Sequence, residues 1–165
     1  MMARTRNAAD IVLGDVLAMV VPDLRRHCHD PWWVIGSAAA RLIGAEVVVA
    51  DVDLLTSAAD ADLLSGYWLA HRDANHFPPG EDRFRSHFVR FVFPGLPVEL
   101  MGGLELWREN GWEPVQIGET AVVNFAGLAV PVPTLAEQIR LLERFGRPKD
   151  QRRAALLKSL GGATS

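Results

Sequence analysis

Three short stretches of this chain combine residue types that can handle a polyphosphate. Asp51-Val52-Asp53 sets two carboxylates in an otherwise apolar run, with Val47-Val48-Val49 before it and Leu54-Leu55 after it. If the whole run is one strand, alternation turns both acids to one face and Val52 to the other. Two carboxylates side by side repel each other and are costly to bury without a cation. Mg²⁺ or Mn²⁺ supplies the compensation, because such ions prefer oxygen ligands and bridge carboxylates to substrate phosphates. The plain alternative is that the strand ends near Ala50 and the aspartates lie in a solvated loop. Glu99, in Pro97-Val98-Glu99-Leu100-Met101, is an acid between apolar residues in a second predicted strand. Placed beside the first strand, it completes a three-carboxylate cluster, as general base towards an acceptor hydroxyl or as a further metal ligand. At an outward-facing edge it does neither. Gly36-Ser37 follows the apolar Trp32-Trp33-Val34-Ile35. A glycine at a strand end lets a polyphosphate approach the backbone, and a helix starting there offers N–H groups and a favourable dipole. A tight turn capped by Ser37 is the structural alternative.

Other reactive residue types carry weaker signals. His27-Cys28-His29 has the composition of a metal site, but neighbours in sequence point in different directions, and a helix end or turn is the plainer reading. His71, His76 and His87 show no metal-ligand spacing. Tyr67, Trp68, Trp107 and Trp112 can stack on a base or fill a core. Arg83 and Arg85 can neutralise substrate charge if their loop borders the site, or else sit solvated on the surface.

The elements that must position these groups follow from periodicity and punctuation. Asn7 or Asp10 caps a first helix, with apolar residues from Ile11 to Val20 on one side, which Pro22 ends or bends before one more turn over 24–29. A strand is predicted over 32–35 and a helix over 38–43, capped by Ser37 and closed by Gly44. The strongest predicted strand covers 47–55, and Ser57 caps a helix over 58–69. Residues 73–85, with Pro78, Pro79 and Gly80, read as an exposed loop. Strands over 87–93 and 97–101 form a hairpin through Pro94-Gly95, and shorter strands follow over 113–117, 121–125 and 128–132. Thr134 caps a helix carrying Leu135, Ile139, Leu142 and Phe145, and a last helix runs over 149–160. The pattern is α/β (α+β): helices flanking one mixed sheet.

At 165 residues the chain has the usual size of one domain, with its core over about 32–132 and C-terminal helices over 134–160. Hydrophobic residues at 49% and charged residues at 22% argue against disorder. A net charge of -3 disfavours a broad nucleic-acid surface, although a local patch at Arg83, Arg85 and Arg90 remains. Cys28 is the single cysteine, so there is no intrachain disulfide and no cysteine-based zinc site, which suits a reducing compartment. The N-terminal stretch is too short and interrupted for a signal peptide or membrane span, so a cytoplasmic protein with no membrane association is expected.

Gly-Ser, a gap, Asp-x-Asp on a hydrophobic strand and a later acid on another strand resemble the signature of the nucleotidyltransferase superfamily. The tail strengthens this: Pro133-Thr134-Leu135-Ala136-Glu137-Gln138-Ile139 and Gly146-Arg147-Pro148-Lys149-Asp150 resemble small prokaryotic stand-alone members, including abortive-infection toxin relatives and minimal nucleotidyltransferases. The resemblance implies a nucleotidyltransferase fold in which Gly36 and Ser37 contact the triphosphate of a nucleotide such as ATP. It makes Asp51 and Asp53 the Mg²⁺ ligands and Glu99 the third acid. Lys149 would reach a phosphate or a neighbouring acid, or lie with Asp150 in a solvated first helical turn. Three departures stand out: Glu46 to Ala50 replace an Arg or Thr before Asp-x-Asp, Leu141-Leu142-Glu143 stand where toxin relatives carry a Lys, and the third acid is Glu instead of Asp. An aspartyl-phosphate phosphatase, the rival use of Asp-x-Asp, wants Thr or Val where Leu55 stands.

Three activities follow as expectations. The first is transfer of a nucleoside monophosphate from a triphosphate to a hydroxyl of RNA (tRNA included), protein or a small molecule. The second is a catalytically weak scaffold binding a protein partner in a toxin–antitoxin pair. The third is an antibiotic adenylyltransferase.

Overall fold

The computed structural model describes residues 7–76 and 83–162. Pro78, Pro79 and Gly80 of the expected loop lie outside the described residues. The first helix, α1 (Ala8–His27), begins at Asn7, whose side chain accepts from the Asp10 N–H at 2.8 Å. It runs through Pro22 instead of stopping there. The missing proline N–H costs one hydrogen bond, but the buried stripe Leu13, Val16, Leu17, Val20, Val21 and Leu24 continues across it and holds the last turn on the core.

β1 (Trp33–Ile35) leads directly into α2 (Gly36–Leu42). The helix starts two residues earlier than expected: Ile35 is its N-cap, with no side-chain capping bond, so Ser37 lies inside the helix and does not cap it. β2 (Val52–Thr56) is shorter than the predicted 47–55. A strand persists only where it has partners. β1 pairs residues 53–55 and the next neighbour begins opposite Val52, so 47–50 have nothing to pair with. Val48 is 85% exposed as a result, and Asp51 sits in a bend just before the strand.

Ser57 caps α3 (Ala58–Tyr67), accepting from the Asp60 N–H at 3.1 Å. A hairpin of β3 (Phe84–Val92) and β4 (Pro97–Arg108) follows, and β4 turns back into β5 (Gly111–Pro114). The sheet order is β1-β2-β4-β3, with β5 on the far part of β4. β2 and β4 are parallel and the other pairs antiparallel, so the sheet is mixed as expected. β6 (Thr120–Phe125) and β7 (Leu128–Pro133) form a separate two-stranded sheet.

One sheet face is apolar and fully buried: Val52 and Leu54 of β2, with Val98 and Leu100 of β4, pack with α1 and α3. The opposite face carries Asp53 and Glu99. A second, smaller core of Ala40, Ala45, Leu142, Ala154 and Leu157 seats α4 (Leu135–Phe145) and α5 (Pro148–Gly162). Thr134 caps α4 and Gly146 closes it in the left-handed region at φ 72°. Among the described residues no helix is long and apolar enough to cross a membrane.

Candidate active site and metal centre

Strand register assembles the site. Asp53 is flanked by Ile35 on one side, in the antiparallel β1–β2 pair, and by Glu99 on the other, in the parallel β2–β4 pair. Directly opposite residues share a face, so Glu99 projects beside Asp53. Asp51 reaches the same point from the bend before β2, not by strand alternation. One carboxylate oxygen from each of Asp51, Asp53 and Glu99 lies within 4.8 Å of the others. Among the described residues this is the one group of three potential ligands close enough to share a metal ion.

The cluster is only half exposed, and its chemistry suits a hard cation. Asp53 Oδ1 is closed off from solvent and has no hydrogen-bond partner. Burial, then the charges of Asp51 and Glu99, hold the Asp53 carboxyl well above its ordinary value, and the Lys149 ammonium partly offsets them. A divalent cation held by Asp51, Asp53 and Glu99 would remove both penalties, giving the orphaned oxygen a partner and offsetting the repulsion.

Gly36 permits this crowding. Its φ is 68°, and a Cβ built there would stand 2.5 Å from Asp53 Oδ2. Any side chain would therefore displace the aspartate as well as strain the turn. Ser37, the next residue, is buried at the start of α2.

Arg90 is the partner that sequence reasoning missed. It faces Glu99 across the β3–β4 pair and donates from Nη1 to Oε1 at 2.8 Å. Its Nε also stands 3.6 Å from Asp73, whose backbone N–H donates to the Arg90 carbonyl at 2.9 Å. The signal was present: Val92 pairs with Pro97 at the hairpin end, and stepping back equally along both strands brings Arg90 to Glu99.

Lys149 lies close enough to Asp53 to act on its charge. The start of α5 that carries it is clamped from both sides. Asp150, buried, accepts from the Arg147 backbone N–H at 3.2 Å and from its Nε at 2.6 Å, and the Arg147 guanidinium lies 4.8 Å over the Phe84 ring. The other candidate cations are engaged elsewhere. Arg83 donates to the Phe145 carbonyl at 2.9 Å, and Arg85 pairs with Glu105 at 2.8 Å while lying over Trp112.

The His27-Cys28-His29 run is a helix end. Cys28 is the C-cap of α1, and burial, reinforced by Asp60, pushes its thiol up to about 11. His27 packs tilted against Tyr67, ring centroids 4.2 Å apart, and His71 stacks on Phe93 at 4.4 Å, while His87 meets Asp62 at 3.0 Å. Trp68 is core, with its Nε1 donating to Asp23 at 2.9 Å, and Trp107 packs edge-on against Trp112.

No protein-family model matches the sequence, and no curated protein matches it. Solved structures do match. A Thermotoga maritima protein assigned as a nucleotidyltransferase superposes with a TM-score of 0.68 at 24% identity, covering 90% of this chain and 94% of the other. The chain has the nucleotidyltransferase fold. The lincosamide antibiotic adenylyltransferase LnuA, solved with lincomycin bound, shares this fold at a TM-score of 0.56 and 14% identity, over 88% and 96% of the two chains.

Proposed function

We propose that this nucleotidyltransferase-fold protein is a Mg²⁺-dependent nucleotidyltransferase that moves a nucleoside monophosphate from a triphosphate to an acceptor hydroxyl. The observation that carries the reading is the Asp51, Asp53 and Glu99 cluster, with an orphaned oxygen on Asp53 and a glycine that alone fits beside it. Asp51 and Asp53 would hold the cation, with Glu99 as third ligand. Bound there, Mg²⁺ neutralises triphosphate charge and polarises the α-phosphoryl group.

The chain's own groups do the rest. Gly36 leaves the approach to Asp53 open, Ser37 would meet a phosphate at the start of α2, and Lys149 adds positive charge that acts on Asp53. Glu99, with Arg90 bound on Oε1, is held in place to accept the acceptor's hydroxyl proton. The acceptor oxygen then bonds to the α-phosphorus, the P–O bond to the β-phosphate breaks, and pyrophosphate leaves with that electron pair. Catalysis of this kind rests on positioning and charge neutralisation. In LnuA the same fold serves an adenylyltransferase of a small antibiotic, so an acceptor of that size is within its reach.

Calorimetric titration with a non-hydrolysable ATP analogue tests the reading. Binding should require Mg²⁺ and fall at least tenfold, about 1.4 kcal/mol, in Asp51→Asn and Asp53→Asn. Equal binding by wild type and both variants, with the metal present, overturns it.

A further inference from the structure

A cavity of about 510 Å³, lined by Trp33 of β1, Leu55 of β2, Gly103 of β4 and the segment after β5, opens on the sheet, within the roughly 300–1,000 Å³ typical of small-molecule sites. Its position follows from register. Leu55 is two residues beyond Asp53 on β2 and pairs with Trp33 of β1, so both project from the Asp53 face, about 7 Å further along the strand. Val115 and Ile117, in the segment after β5, add apolar surface. Between the pairs His87–Gly102 and Arg85–Glu105, β4 carries one residue more than β3. At this bulge Gly103 has φ 61° and leaves its part of the cavity lining without a side chain.

Among the described residues the charge of the lining is one-signed: it contains Asp30 and Glu105 and neither lysine nor arginine. Arg85 already pairs with Glu105. Asp30 is exposed, and its backbone N–H is anchored on buried Asp60 at 2.7 Å. A polynucleotide track needs the opposite, a row of basic groups against the phosphates.

We propose that this cavity is the acceptor subsite and that it takes a small molecule with an apolar body, a cationic amine and a hydroxyl. The inference rests on the transferase reading of the neighbouring carboxylates. The body lies against Trp33, Leu55, Val115 and Ile117, the amine meets Asp30, and the hydroxyl is directed towards Glu99. In transfer that hydroxyl oxygen gains the α-phosphorus and loses its proton to Glu99, and pyrophosphate departs with the electrons of the broken P–O bond.

The test uses the full chain and three probes: phenylalaninol, its amine-free counterpart 3-phenylpropan-1-ol, and a single-stranded RNA decamer. Binding is followed by amide NMR shifts, with the Mg²⁺–ATP analogue titrated in parallel. Phenylalaninol should shift the Leu55 and Val115 amides saturably. Val115→Trp should weaken it at least tenfold, with Ile117→Phe as the second cavity-filling variant should the first not fold. Asp30→Asn should weaken phenylalaninol about threefold to fivefold and leave 3-phenylpropan-1-ol unchanged. Triphosphate binding without cavity shifts from phenylalaninol, or with shifts that both filling variants leave intact, overturns the subsite alone. RNA that displaces phenylalaninol from the cavity overturns the substrate class. Cavity binding in a wild-type protein that takes no triphosphate overturns the transferase reading and the acceptor role with it.

Discussion

Arg90 and Glu99 face each other on neighbouring strands, joined by a 2.8 Å hydrogen bond between guanidinium and carboxylate. The bond fixes one oxygen of the third acid and stabilises its charge beside two other carboxylates. Arg90→Met should therefore cost roughly 1.5–3 kcal/mol, the range for hydrogen bonds to charged groups, when measured by urea denaturation without metal. Saturating Mg²⁺ should recover part of the loss, because a cation offsets the repulsion that Arg90 no longer balances. An Arg90→Met protein as stable as wild type in metal-free buffer would show the contact to be idle.

Asp53 makes the metal-free protein pH-sensitive with a defined sign. Its folded-state carboxyl is raised above the ordinary 3.8, so between those two values the folded chain holds a proton that the unfolded chain has released. Its contribution to stability is thus present below 3.8 and lost as pH rises through the raised value. Asp53→Asn removes this dependence and should be more stable than wild type at neutral pH without metal. Excess Mg²⁺ should reverse the order, stabilising wild type by about 2.7 kcal/mol at a hundredfold excess over Kd and the variant by little. Thermal unfolding of both proteins across pH, with and without Mg²⁺, checks each sign.

Gly36→Ala tests the tight approach to Asp53. The new methyl group would meet Oδ2 at 2.5 Å in a backbone conformation with φ 68°. Strain of this type costs about 1–3 kcal/mol. Displacement of Asp53 should also weaken Mg²⁺-dependent triphosphate binding at least tenfold. Calorimetry and denaturation together separate the two effects, and unchanged binding would mean that Asp53 is free to move aside.

Asp150→Ala should loosen the start of α5 without touching the acids. The buried carboxylate accepts from the Arg147 backbone and side chain, and its loss should cost about 1–2 kcal/mol, as for other caps. Because Lys149 sits in the same turn, triphosphate affinity should fall with it. A salt titration reads the Lys149 share, since a freed ammonium contributes less at low ionic strength than a fixed one.

Cys28 should be inert. With its thiol raised from 9.0 to about 11, its thiolate fraction at pH 8 is roughly two orders of magnitude below that of free cysteine. Labelling with a disulfide reagent should be correspondingly slow in native protein and fast in denaturant.

Asp53 and Glu99 were legible because apolar strands have no structural use for a carboxylate, and Asp51 was legible only as the neighbour of Asp53. The mixed sheet and the caps at Asn7, Ser57 and Thr134 were legible from periodicity and local chemistry. What was not legible depended on partners distant in sequence. Val47 to Val49 have strand composition but no neighbour to bond, so Asp51 sits outside the strand that its surroundings suggested. The start of α2 at Gly36 depends on a close approach to Asp53 that local preference for a Ser cap does not register. The role of Arg90 required hairpin register, which spacing around the turn encodes but composition does not.

The parallel pairing of β2 with β4 has a consequence for how the site comes into being. Asp51 and Asp53 leave the ribosome well before Glu99, and α3 and β3 lie between the strands that must join. Contacts separated in this way form only after the intervening chain has closed its loop. A nascent or truncated chain ending before β4 would thus carry two repelling aspartates and no complete metal site. On the metal-dependent reading proposed above, cation binding would be a late event in folding, and Mg²⁺ uptake would report that the sheet has closed.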